Sequence, residues 1–125
     1  MTMSVRNKIV SRMVDAHEAE NDVEHAVIAR YRLTGGRLGE PGQREVVRKA
    51  QALLTEAIDQ AEVGEFDGNE YGGGEVVLFA YGPDADALFA VMAPVLNDLP
   101  FRPAHVLLRY GPLDDPSAAE RRVEL

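Results

Sequence analysis

The residues with the most evident capacity for chemistry lie in one acidic, glycine-rich stretch, GEFDGNEYGGGE, at positions 64–75. It contains no basic residue and four carboxylates: Glu65, Asp67, Glu70 and Glu75. Carboxylate oxygens are preferred ligands of Ca²⁺ and Mg²⁺, so one hypothesis is a loose cation site built from these four side chains. The alternative is that the carboxylates are solvated on a tight turn.

Known loop motifs do not fit this stretch. In an EF-hand alignment that starts at Asp67, Tyr71 and Leu78 take the fifth and twelfth positions, where the motif requires an oxygen donor and a bidentate glutamate. A phosphate-binding loop is disfavoured because no Lys-Ser or Lys-Thr pair follows the glycines, and the flanking acids would repel an anion. The leading prediction is therefore structural: the glycines supply positive-φ turns and a β-bulge between two paired strands.

The other reactive residue types form no recognised catalytic pattern. An expected break between helix and strand separates His17 from His25, His105 lies far along the chain, and there is no cysteine. This disfavours a zinc site, a thiolate nucleophile and a disulfide framework. No serine lies in a G-x-S-x-G turn. We therefore expect no cofactor and lean against an enzyme, with acid–base chemistry by Asp67 and Glu70 as the open alternative.

The spacing of apolar residues predicts the elements that would position these side chains. The order is strand, helix, strand, strand, helix, strand, over residues 23–33, 41–62, 64–69, 75–82, 83–98 and 103–111. This order predicts an α+β, ferredoxin-like βαββαβ sandwich, with an antiparallel sheet and two helices on one face. The C-terminal ERRVEL is a candidate for one more short strand. We expect a short N-terminal helix over 4–19 within an extension of residues 1–22, followed by a single domain over 23–125.

The two long helices show recognisable ends and faces. The first is expected to bury one broad apolar stripe: Val46, Val47, Ala50, Leu53, Leu54, Ala57, Ile58 and Ala61. Gly64 is predicted to stop this helix, as glycine often does at a helix C-terminus. Pro94 lies inside the second helix, where we expect it to kink or shorten the helix because proline lacks the backbone N–H.

Alternation along the strands divides their residues into two faces. One face is expected to lie under the helices: Val27, Ala29, Tyr31, Val76, Leu78, Val106 and Leu108. The other, which we call the open face, would then carry Ile28, Arg30, Arg32, Val77, Phe79, Tyr81, His105, Leu107 and Arg109. The reverse assignment stays possible, since a slip of one residue exchanges the faces. The open face is too apolar to stand bare in water, which predicts a homodimer through the sheet.

The open face also suggests a ligand site. Its candidate residues are Arg30, Arg32, Tyr81, His105 and Arg109, because guanidinium groups bind carboxylates and phosphates through paired hydrogen bonds. The alternative is that the arginines form cross-strand ion pairs with Glu24 or Glu75.

The charge distribution limits the possible partners. The net charge is −8, and no Lys or Arg lies between Lys49 and Arg102, a span that contains ten acids. A nucleic-acid partner is disfavoured, because such a chain would repel a polyanion. The acids serve solubility, or they form a surface for a basic protein or a cation. No run of about 18 apolar residues and no secretory signal is seen, so we expect no membrane partner and a cytoplasmic location.

Two segments carry a resemblance to other proteins. The stretch GEFDGNEYGGGEVVLFAYGPDADALF, followed by RPAHVLLRYGP, resembles a group of small bacterial proteins of uncharacterised function. Members share a G-x-F-D-G-x-E-x-G-x-G-like stretch before an apolar strand and a YGPDAD helix start. The likeness covers roughly residues 62–112, implies a compact domain of helices and strands, and transfers no catalytic residue.

Together these patterns predict a small acidic binding or protein-interaction domain, homodimeric through its sheet. Two alternatives stay open. One is an immunity-type inhibitor that presents its acidic surface to a basic toxin. The other is an enzyme or metal binder that uses the acidic glycine-rich loop.

Overall fold

The computed structural model describes residues 24–125. In chain order its elements are β1 (His25–Arg32), α1 (Pro41–Ala61), β2 (Glu65–Gly72), β3 (Glu75–Gly82), α2 (Ala85–Asp98), β4 (Ala104–Arg109) and β5 (Glu120–Glu124). This set of elements confirms the predicted α+β class. The predicted N-terminal helix over 4–19 lies outside the described residues, as does the proposed extension.

The five strands form one antiparallel sheet in the order β2-β3-β1-β4-β5. The ferredoxin-like order predicted for four strands is not matched, because a fifth strand extends the sheet beyond β4. After β4 the chain reverses, and the Tyr110 N–H donates to the carbonyl of Ala119 at 2.9 Å. Val123 of β5 then pairs with Val106 and packs against the core, so the added strand gains apolar contacts as well as hydrogen bonds.

The core lies between one face of the sheet and the two helices. The strand residues of this face are those predicted to lie under the helices, and each is fully buried: Val27, Ala29, Tyr31, Val76, Leu78, Val106 and Leu108. The predicted assignment of the two faces is therefore confirmed. The Tyr31 hydroxyl keeps a partner inside this core by donating to the carbonyl of Leu96 at 2.7 Å.

The glycine-rich stretch is the hairpin that joins β2 to β3. Gly73 and Gly74 form its turn with φ of 59° and 80°, a backbone that suits two-residue hairpins and that glycine adopts without strain. A β-bulge falls between Phe66 and Gly68, which shifts the register of β2 against β3. The prediction of positive-φ turns and a bulge is confirmed, and the strand is longer than predicted.

The end of α1 corrects one prediction. The residue in the left-handed conformation is Glu62, with φ of 56°, and not Gly64. Gly64 is required for a different reason: a side chain at this position would place its Cβ 2.2 Å from the carbonyl oxygen of Tyr81, which is too close. Gly82 has the matching constraint, with a Cβ only 2.3 Å from the carbonyl oxygen of Val63. The two glycines therefore allow the chain entering β2 to touch the end of β3.

The helices also differ from prediction in their faces and length. The buried stripe of α1 is narrower than expected: Val47, Ala50, Leu54 and Ile58. Val46 and Leu53 are instead exposed, at 41% and 55%. In α2 the Asp84 carboxylate accepts from two backbone N–H groups of the first turn, as a helix N-cap does. Pro94 does not shorten α2, which continues to Asp98.

Candidate functional site

The open face of the sheet carries an apolar row across its three central strands. Ile28 of β1 pairs with Phe79 of β3 on one side and with Leu107 of β4 on the other. All three side chains are half-buried. Beside them, Ala26 and Tyr81 are 1% and 4% exposed. We call Ile28, Phe79 and Leu107 the apolar row.

Two predicted ligand residues next to the apolar row are held in ion pairs. Arg30 donates to one Glu75 carboxylate oxygen at 3.0 Å, and Arg32 donates to the other at 3.3 Å. Arg32 also donates to the carbonyl of Gly73 at 3.1 Å, which ties β1 to the hairpin turn. The side chains of both arginines remain close to half exposed, at 44% and 48%. The predicted cross-strand pairing through Glu75 is confirmed, and solvent-exposed pairs of this kind add little stability.

Arg109 holds the chain that leads to β5. Its guanidinium donates to the Glu120 carboxylate and, at 3.2 Å and 2.6 Å, to the carbonyls of Pro112 and Asp115. Its side chain is only 13% exposed. Arg109 is therefore a structural residue of the connection from β4 to β5, with most of its donors engaged inside the domain.

His105 and Tyr81 complete the predicted ligand set without adding charge to the face. His105 pairs with Arg30 on one side and with Glu124 on the other. Burial lowers the pKa of His105, and the nearby Arg122 guanidinium lowers it further. A neutral imidazole is therefore the expected form near neutral pH. The structure brings the five predicted ligand residues onto one face, where each of the three arginines is paired with a carboxylate of the domain and two of them share Glu75.

The four carboxylates proposed for a cation spread along the hairpin. Glu65 pairs with Tyr81 at one end of β2, and Glu70 pairs with Val77 further along. Glu75 binds the two arginines of β1. Within residues 24–125, no group of three or more His, Asp or Glu side chains is placed to hold a metal ion.

A cluster that the sequence did not reveal joins the start of α2 to the sheet. The Tyr110 hydroxyl donates to the Asp86 carboxylate at 2.6 Å, and Arg121 donates to the Tyr110 oxygen at 3.3 Å. The His25 ring meets the Tyr110 ring edge-on, with centroids 5.6 Å apart. His25 Nδ1 accepts from the backbone N–H of Ala85 at 3.0 Å. The cluster anchors the N-terminus of α2 to the sheet.

A shallow apolar groove runs between the exposed sides of the two helices. Its volume is about 330 Å³, and its walls include Val46, Lys49, Leu53, Pro94, Val95 and Asp98. Val46 and Leu53, the two residues of the predicted α1 stripe that are exposed, line this groove. It is separate from the open face of the sheet.

Comparison with known proteins gives this chain no relatives: no family model, curated protein or solved structure matches it. The resemblance carried by the glycine-rich stretch and the YGPDAD helix start therefore stays a prediction. Among the helices of residues 24–125, none is both long and apolar enough to span a bilayer.

Proposed function

We propose that this domain is a non-enzymatic protein-interaction module that forms a homodimer through the open face of its sheet. The observation that carries the proposal is the half-buried apolar row of Ile28, Phe79 and Leu107. Removing apolar surface from water stabilises a complex by roughly 25 cal/mol per Å². In this proposal the βαββαβ part is a ferredoxin-like scaffold, extended by β5, that holds the row in place.

The arrangement of residues beside the apolar row favours a two-fold dimer. β1 is the central strand, so a two-fold axis along it would place β2 of one copy opposite β5 of the other. Gly68 of β2 and Arg122 of β5 belong to the same row of paired residues across the sheet. In such a dimer, Arg122 of one copy would therefore lie opposite Gly68 of the other, between Glu65 and Glu70. The position beside Gly68 is open, since a side chain there would meet nothing within 4 Å of its Cβ. A guanidinium from a second copy therefore has space and opposite charge.

Sedimentation velocity of the full chain across the micromolar range tests this proposal. We expect a concentration-dependent dimer in the wild-type protein and a monomer in the Phe79→Asp variant. Leu53→Asp is the matched control, because it places the same charge on an exposed apolar residue of the groove between the helices. Circular dichroism and thermal melts establish that each variant is folded. A wild-type protein that stays monomeric throughout, or a dimer lost only in Leu53→Asp, would refute the proposal.

A second candidate function is binding of a basic protein partner, as an immunity-type inhibitor would bind a basic toxin. The observation that favours it lies at the C-terminal end of α1, where Glu56, Asp59 and Glu62 are exposed. The last turn of this helix contains no basic residue. The negative end of the helix dipole adds to these carboxylates, which makes this end of the domain attractive to cations.

A further inference from the structure

We propose that the apolar groove between α1 and α2 receives the apolar face of a basic amphipathic helix from a protein partner. The proposal rests on the second candidate function above and adds the mode by which a basic partner binds. Its starting point is the exposure of two large apolar residues of one helix. Val46 and Leu53 are 41% and 55% exposed, and both line the groove. They lie seven residues, close to two turns, apart, so α1 presents one apolar edge there.

The shape of the groove suits a row of side chains better than an enclosed small molecule. α2 supplies the opposite wall, which includes Pro94 and Val95. The volume of about 330 Å³ is at the lower limit of small-molecule pockets, which span roughly 300–1,000 Å³ and bury most of their ligand. An amphipathic helix, in contrast, lays only one face into an open groove, with anchors one and two turns apart.

The charges around the groove favour a basic partner. Asp98 of α2 lines the groove, and Glu56 lies one turn after Leu53 on the same side of α1. Both carboxylates are exposed, and within residues 24–125 neither of them forms an ion pair. Asp59 and Glu62 continue the acidic surface along α1. A helix with lysine or arginine beside its apolar face would meet these carboxylates.

The base among the residues that line the groove already faces an acid of its own helix. Lys49 lies four residues after Glu45, and the pKa of Glu45 is lowered chiefly by its hydrogen bond with Arg48 and further by the charge of Lys49. A second copy of this chain is a poor occupant, because it would bring the same acids and a net charge of −8. Nucleic acid and anionic lipid would be repelled for the same reason.

Fluorescence anisotropy of a labelled peptide tests the proposal on the full chain. The probe is a helix-forming peptide of about 18 leucine and lysine residues, about 27 Å long as a helix, with its leucines on one face. The control peptide has the same composition in an order that spreads the leucines around the helix. Both peptides carry the same charge, so only the apolar face differs. We expect the wild-type protein to bind the probe at least about tenfold more tightly than the control peptide.

Matched variants locate the bound probe. Leu53→Ser should raise the dissociation constant of the probe about tenfold, whereas Leu38→Ser, at a leucine of similar exposure outside the groove, should leave it unchanged. Glu56→Gln should weaken binding at low salt only, and Glu70→Gln, at an exposed acid of β2, should have no effect. Circular dichroism establishes that each variant is folded. Probe binding that is lost in Phe79→Asp and kept in Leu53→Ser would place the peptide on the open face and overturn the proposal.

The outcomes also separate this docking mode from the function on which it rests. If the two peptides bind equally, or if Leu53→Ser and Leu38→Ser behave alike, the groove contributes nothing and the proposal fails, while charge-driven binding of a basic partner stands. If neither peptide binds at low salt, both fail. If Leu53→Ser instead changes the oligomeric state in sedimentation velocity, a second copy occupies the groove, and the proposal is wrong.

Discussion

Replacing Tyr31 by phenylalanine removes a single hydroxyl from the centre of the core. Tyr31 is fully buried, and its hydroxyl lies 2.7 Å from the carbonyl oxygen of Leu96 in the last turn of α2. In a longer helix that carbonyl would accept from the N–H of residue 100, but residue 100 is a proline and has none. Tyr31→Phe therefore loses a hydrogen bond and strips a buried carbonyl of its partner. We expect a loss of about 1 to 3 kcal/mol in the free energy of unfolding near neutral pH.

The same substitution should change how stability depends on alkaline pH. Burial raises the pKa of the Tyr31 hydroxyl above its usual value of 10.0, against a weaker opposing effect of Arg102. Above about pH 10 the unfolded chain releases this proton while the native protein keeps it, so the unfolded state binds fewer protons. Stability then falls with rising pH by up to about 1.4 kcal/mol per pH unit. The Tyr31→Phe variant lacks this loss.

Urea unfolding followed by far-UV circular dichroism measures both effects. At about pH 8 the wild-type protein should be the more stable, and at about pH 11 the difference should shrink towards zero. Tyr71→Phe, at a half-buried tyrosine of β2, is the control for general effects of tyrosine removal at the lower pH; because burial also raises the pKa of Tyr71, this variant does not serve as a control for the pH dependence. Equal stabilities at the lower pH would refute the role of the hydrogen bond with Leu96. A difference that is the same at both pH values would refute the argument from burial.

Two further predictions concern the base of the hairpin and the acidic end of α1. Gly64→Ala should lower the free energy of unfolding by about 2 kcal/mol or more, because its Cβ would meet the Tyr81 carbonyl. Gly72→Ala, in open space at the far end of β2, should change the stability little, and equal losses in a urea titration would contradict this. Glu56→Gln with Asp59→Asn should weaken binding to poly-L-lysine at low salt and lose that effect at high salt, where charges are screened. Unchanged affinity at low salt would remove the case for a basic partner at this end.

Alternation made the sheet predictable from the sequence. In the three central strands, core-facing apolar residues alternate with residues of mixed polarity, with a period of two. This pattern indicated where each strand lies in the chain and which of its residues share a face. The hairpin was predictable because consecutive glycines favour the positive φ that Gly73 and Gly74 adopt. β5 was only a candidate, since ERRVE has one apolar residue and no alternation. Its position depends on pairing with β4, which local sequence does not encode.

The candidate site was predictable as a set of residues but not as a set of partners. The pattern placed Arg30, Arg32 and Arg109 on one face, and the structure confirms the face. Which acid each arginine binds depends on strand order and register: Glu75 reaches two arginines because β3 lies beside β1, and Glu120 reaches Arg109 only because β5 forms. The end of α1 was missed for a related reason, since Glu62 takes a left-handed conformation that sequence preferences assign to glycine.

The bulge in β2 has a consequence for how this domain can assemble. β2 and β5 are the two edges of the sheet, where unpaired backbone groups invite a strand from another molecule. β2 is bent by the bulge and lined with carboxylates, while β5 is five residues long with four of them charged. Both borders thus discourage the addition of strands, which is the route to open-ended fibres. The proposed dimer, which associates through the open face of the sheet, would close after two copies and leave both edge strands unextended.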